Sequence, residues 1–136
     1  MTPTEMAELH RLCFVTPRPY KAHEFESLLP GIGVFVVKRE HGFAIGRVIV
    51  DEVELLTLAV HPDHRRKGIA ADIMGEFIGT AHRMGATMAF LDVVASNHSA
   101  QALYEQFEFN ETDRRVGYYR APNGKRGDAV LMVREL

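Results

Sequence analysis

An apolar run, Leu56-Thr57-Leu58-Ala59-Val60, passes through His61-Pro62-Asp63-His64 into Arg65-Arg66-Lys67-Gly68-Ile69-Ala70, and few folds accommodate that order of elements. It reads as a strand, a proline-bearing turn and the start of a basic helix. The first amides of a helix have no internal carbonyl partner and carry the positive end of its dipole, so they suit an anion such as a pyrophosphate. Gly68 and Ala70 leave the approach clear, while Arg65, Arg66 and Lys67 add positive charge. Two other glycine loops are excluded. A P-loop needs lysine and then serine or threonine after its second glycine, and a dinucleotide-binding turn needs three glycines directly after its strand.

A chain of 136 residues has room for one domain with a real core, and 46% hydrophobic with 25% charged residues is ordinary globular usage. The net charge of -2 argues against a general nucleic-acid binder or an anionic-membrane binder, so the basic cluster at Arg65–Lys67 is local. One cysteine, Cys13, allows no internal disulfide and reads as a buried small hydrophobe. No apolar run approaches the roughly 20 residues of a membrane span, and Met1–His10 lacks the pattern of a secretory signal. The expectation is a cytoplasmic protein whose oligomeric state is open. His61 and His64 have no cysteine or third histidine near them in sequence, so no metal site is expected.

The elements alternate without repeats. Thr4 to about Cys13 reads as a helix behind a threonine cap, and Lys21–Leu29 as a second, stopped by Pro30 and Gly31. Val34–Lys38, Phe43–Val50 and Val53–Val60 read as antiparallel strands, the first two joined at Glu40-His41-Gly42. Gly68 to about Met84 carries a wide apolar stripe of Ile69, Ile73, Met74, Phe77, Ile78 and Ala81, with Gly85 placed to end it. Met88–Val93 must then run parallel to Val53–Val60, because a full helix separates them. Asn97 to about Gln106 forms a further helix. Tyr118–Arg120 and Asp128–Glu135 flank a hairpin turn at Pro122-Asn123-Gly124.

The pattern Arg65-x-x-Gly68-x-Ala70 after a strand ending Ala59-Val60-His61-Pro62 resembles the acetyl-CoA loop of the GNAT N-acetyltransferases. The resemblance implies an α+β fold, a single domain over residues 1–136, in which a mixed, mostly antiparallel sheet is flanked by helices and its central parallel strands splay apart. It also implies that acetyl-CoA enters this fork, held by backbone at Leu58, Ala59 and Val60 and by Arg65, Arg66, Lys67, Gly68, Ile69 and Ala70. The amide of Val60 or its neighbour would face the thioester oxygen.

Asn97 and Tyr104 lie seven apart, two helical turns, so both project from one helix face with the small Ala100 between them. Taken alone, Asn97 also suits a helix cap and Tyr104 a core aromatic. The resemblance places the asparagine on the pantetheine arm and the tyrosine hydroxyl near the sulfur. Asp92 closes a buried strand, where a carboxylate is costly unless it works or is paired. The segment Leu91–Glu105 is similar to the RimI-type ribosomal-protein alanine acetyltransferases, in which a glutamate at the position of Asp92 is the proposed base and the tyrosine the proposed acid. Aspartate is one methylene shorter, so a water can carry the proton. Glu54 on the adjacent strand is a second candidate base, and also suits a solvent-facing strand position.

The likeness extends to Arg114-Arg115-Val116-Gly117-Tyr118-Tyr119 and to the basic turn Asn123–Ala129. Tyr20, Glu54, Arg115, Tyr118 and Tyr119 are the expected acceptor-side residues. Tyr20 and Lys21 stand where that subgroup has tryptophan and serine, and Glu108 stands where it has glycine between two helix-ending apolar residues. The implied activity is acetyl transfer to an amine, foremost a protein N-terminus. The alternatives are a small-molecule amine acetyltransferase and a silent CoA-binding module.

Overall fold

The computed structural model describes residues 1–136. Helix α1 spans Pro3–Cys13 and starts one residue earlier than the sequence suggested, because its cap is Thr2: the Thr2 hydroxyl accepts from the Glu5 amide at 3.2 Å, and Glu5 accepts from the Thr2 amide at 2.9 Å. Helix α2 spans Ala22–Leu28. Strands β1 (Val34–Arg39), β2 (Gly42–Ile49) and β3 (Glu52–Val60) follow, then α3 (Ile69–Arg83), β4 (Met88–Val94), α4 (His98–Gln106), β5 (Asn110–Arg120) and β6 (Arg126–Glu135).

The six strands form one sheet in the order β1-β2-β3-β4-β6-β5. Every neighbouring pair is antiparallel except β3 and β4, which run parallel as the intervening helix requires. One expectation fell short: β5 starts at Asn110, eight residues before Tyr118. Its residues up to Val116 are all exposed, so this edge strand offers no apolar alternation to read.

Helix α3 covers one face. Its Ile73, Met74, Phe77 and Ala81 are fully buried against Val53, Leu55, Leu91 and Val93, each large side chain worth about 1.5–3 kcal/mol of burial. Gly46 is what lets the helix close on the sheet, because a Cβ there would lie 2.6 Å from both the Phe35 and Phe77 rings. Helices α1 and α2 cover the other face through Met6, Leu9 and Phe25 packed on Phe43, Ile45 and Ala59. No helix is long and apolar enough to cross a membrane.

Candidate active site

The parallel ladder between β3 and β4 has only three rungs, Glu52 with Met88, Val53 with Ala89 and Glu54 with Phe90. Beyond them the strands part. The His61 amide donates to the His41 carbonyl at 2.8 Å, toward β2. Strand alternation therefore turns Ala59 to β2 and aims the Leu58 and Val60 backbones into the gap. On the opposite side, the Ala95 amide donates to Asp128 on β6 at 2.9 Å, and the same alternation turns the Asp92 backbone to the gap. The Val60 carbonyl is already engaged: it accepts from Arg65 Nε at 3.2 Å and from Cys13 Sγ at 3.3 Å.

A cavity of about 950 Å³ occupies this fork and runs to the start of α3. Most expected residues meet there. Tyr20, Glu54, Leu58, Ala59, Val60, Arg65, Arg66, Gly68, Ile69, Ala70, Asp92, Asn97, Tyr104, Tyr118 and Tyr119 all line it. Lys67 and Arg115 do not: Lys67 stands at the loop surface, and the Arg115 guanidinium lies over the Tyr118 ring at 5.2 Å. Cys13 is a correction. It is half-buried rather than a core residue, and it lines the cavity because α1 ends beside the carboxyl end of β3. His10, His64 and Thr16 also line the cavity, which the spacing of residues gave no means to detect.

Gly68 caps α3 with φ of 79°, and a Cβ on it would have no protein atom within 4 Å. The space above this residue belongs to the cavity, not to packing. Asn97 caps α4: its Oδ1 accepts from the Ala100 amide at 3.1 Å and from the Ser99 hydroxyl at 3.2 Å. The helix cap and the cavity wall are thus one residue. Tyr104 is buried with its ring against Phe109, and burial, then the charge of Tyr119, pushes its phenol above the ordinary value. It stays protonated at any working pH. Tyr119 is pushed up to about 12, by burial first and by Asp92 second.

Asp92 and Glu54 share the sheet face opposite α3, since each alternates with residues packed under that helix. They differ in their partners. Glu54 Oε1 pairs with Arg47 Nη2 at 3.4 Å, whereas Asp92 Oδ1 is buried without a hydrogen-bond partner. Burial, then Glu54, raises the nearby Tyr20 phenol. Tyr20 is held from behind: its amide donates to His10 Nδ1 at 2.8 Å, and His10 Nε2 donates to Thr57 Oγ1 at 2.7 Å. No cluster of three or more metal-ligating side chains is present.

The Acetyltransferase (GNAT) family profile matches residues 4–109. The chain is 40% identical over 91 residues to the ribosomal protein bS18-alanine N-acetyltransferase of Escherichia coli K12, covering 67% of this chain and 61% of that protein. It is 38% identical over 92 residues to the protein of that name in Haemophilus influenzae, covering 68% and 62%. The chain thus spans about three-fifths of the length of these curated relatives. The crystal structure of the E. coli ribosomal-protein-S18-alanine N-acetyltransferase superposes with a TM-score of 0.83 at 30% identity, over 95% of this chain and 84% of that one. Arabidopsis thaliana NAA60 in complex with acetyl-CoA shares the fold, with a TM-score of 0.85 at 21% identity over 98% and 93% of the two chains. A profile that takes in the glycine loop, the strand fork and all of α4 settles the family: the chain belongs to the GNAT acetyltransferases.

Proposed function

We propose that residues 1–136 form one N-acetyltransferase domain that moves acetyl from acetyl-CoA directly to an amine, foremost the N-terminal α-amino group of a protein. The observation that carries this reading is Asp92 Oδ1, a buried carboxylate oxygen without a partner at the fork of β3 and β4. The residue is half-buried, and a buried polar atom left unpaired is costly unless water or a ligand completes it. The relatives named above support a protein acceptor, being bS18-alanine N-acetyltransferases by name.

The residues present fit acetyl-CoA. Open space over Gly68, the free amides at the start of α3 and the Arg65 and Arg66 side chains suit its pyrophosphate. Leu58 and Val60 present backbone to an extended arm, which Ala59, paired with β2, does not; Ala59 contributes surface only. Asn97, Ile69 and Ala70 wall the same channel. Lys67 adds charge from outside it. When bound, acetyl-CoA supplies an acetyl group activated as a thioester.

Asp92 removes the proton of the incoming ammonium, directly or through a water. An α-amino group has a reference pKa near about 8 against about 10.4 for lysine, so one carboxylate is enough to generate the neutral nucleophile. Glu54, already paired with Arg47, serves better to hold the acceptor than to take its proton. The amide of Val60 or Leu58 donates to the oxygen that gains charge. Tyr104 donates a hydrogen bond to the leaving sulfur, and its raised phenol favours that role over full proton transfer. Tyr20, Tyr118 and Tyr119 close around the acceptor end. We infer a cytoplasmic setting, consistent with a lone unpaired cysteine.

An acceptor screen of N-terminal peptides against polyamines and free amino acids, read as CoA release, tests this. Release with α-amino peptides is expected. Release only with small amines would establish the small-molecule alternative, and tight CoA binding without any release would make the domain a sensor.

A further inference from the structure

The basic loop before α3 holds imidazoles as well as cations. His61 and His64 sit in it, and His41 reaches it from the turn between β1 and β2. The His41 and His64 rings lie face to face, with centroids 3.5 Å apart and planes 8° from parallel. His61 meets His64 edge-on at 5.4 Å. Both stacked rings are half-buried, and His64 lines the cavity beside Arg65, Arg66 and Gly68, whereas His41 does not. His41 thus backs His64 from the turn.

The charges around this stack are uneven. Arg65, Arg66 and Lys67 follow His64 directly, and none of them pairs with a carboxylate. The nearby carboxylates are exposed or already used. Glu40 lies 3.9 Å from His41 and Asp63 3.9 Å from His61, both open to solvent, while Asp72 on α3 is held by Arg39 at 2.6 Å. Partial burial, then the charges of His41, Lys67 and His61, keep the His64 imidazole below its ordinary value against the pull of Asp63. In the free protein the ring is therefore neutral at about pH 7. Two imidazolium rings 3.5 Å apart repel, so the stack takes about one proton at most.

A diphosphate in the loop inverts this balance. It offsets the three free cations and brings negative charge to the wall that His64 shares with Arg65 and Arg66, which favours the charged ring. Resting on the acetyl-CoA reading above, we propose that His64, backed by His41, is a further ligand for the pyrophosphate and binds it as imidazolium, with a proton taken from solvent as the cofactor enters. The proton stays on the ring and takes no part in acetyl transfer. A group that binds a proton only in the complex makes affinity rise as pH falls, here through about 6.5.

Titration calorimetry in buffers of differing ionisation heat counts the proton. The probe is 3′-dephospho-acetyl-CoA, because the phosphate monoester of the intact cofactor ionises near about 6 and would shed protons of its own among the cations. Uptake of about half a proton per ligand is expected near pH 6.5, with affinity rising about threefold from about pH 7.5 to about 6. His64→Phe keeps a ring on His41 and should bind with no uptake and a flat pH profile. His41→Phe should retain both effects. In the native protein the His64 ring resonance, assigned through its own backbone, should titrate below about 6.5 when free and above it when saturated. Binding without proton uptake, uptake that survives in His64→Phe, or a His64 resonance that titrates alike in both states overturns the proposal. Absence of binding at any pH would fault the acetyl-CoA reading itself, and the role of His64 with it.

Discussion

Glu54 and Phe90 form the last rung between β3 and β4, and the fork that opens beyond them organises the site. Continued pairing would have consumed the Leu58, Val60 and Asp92 backbones. Each buried polar group left without a partner costs about 1–3 kcal/mol, so the fork persists as a feature that water or a ligand completes.

Gly68 keeps the loop before α3 open to the cavity. Gly68→Asp puts a carboxylate where the pyrophosphate approaches the amides, and acetyl-CoA affinity should fall at least about tenfold, or roughly 1.4 kcal/mol. Gly68→Asn carries the same positive φ without the charge and should lose less. Calorimetry on the folded variants reads both, and unchanged affinity in Gly68→Asp removes the loop from the site.

Asp92 and Tyr104 should separate by pH. Asp92→Asn keeps acetyl-CoA affinity but cuts kcat by about 10² at neutral pH, and the loss shrinks at high pH where the amine is already neutral. If Tyr104 donates to the leaving sulfur, Tyr104→Phe removes only that hydrogen bond, from a phenol that burial keeps protonated, and its defect persists across the range. Near-full turnover in Asp92→Asn with loss in Glu54→Gln would move the base to β3.

His10 couples stability to pH. It is 2% exposed, and burial lowers its pKa from 6.5 to about 4. The unfolded chain therefore binds a proton between those values that the folded chain refuses. Stability is complete above about 6.5 and is lost as pH falls toward 4, by up to about 3 kcal/mol. Denaturant titrations across that interval should give a slope approaching one proton in the native protein, and a smaller one in His10→Phe. Equal slopes would show that His10 does not set the acid limit.

Glu108 sits just past α4 with φ of 67°, a conformation that disfavours side chains with a Cβ by about 1–2 kcal/mol. Its contact to Arg134, at 3.8 Å and from a carboxylate that is largely exposed, offsets little. Glu108→Gly should raise stability by about 0.5–1 kcal/mol after the entropy of the freer unfolded chain is deducted, read as a higher denaturant midpoint. A lower midpoint would show that the ion pair outweighs the strain.

Much of this was legible in the residues. The α3 stripe gave a helix, and that helix forced β4 parallel to β3, because a crossover leaves no other choice. The glycine loop and Asn97–Tyr104 spacing located the cavity for the same reason: local geometry fixes where those side chains point. The exposed stretch Asn110–Val116 gave no strand, since pairing with β6 alone holds it. Cys13 and His10 were misjudged or missed because their surroundings come from β3, 47 residues away in sequence. The contrast between a paired Glu54 and an unpaired Asp92 likewise depends on Arg47 in the neighbouring strand.

The fork as the seat of the cofactor is tested most directly by amide hydrogen exchange with and without saturating acetyl-CoA, resolved at β3. Ala59, paired with β2, should be protected in both states, whereas Leu58 and Val60 should exchange readily in the free protein and slow markedly in the complex. Exchange at Leu58 and Val60 that is the same in free and saturated protein would contradict the account and place acetyl-CoA elsewhere.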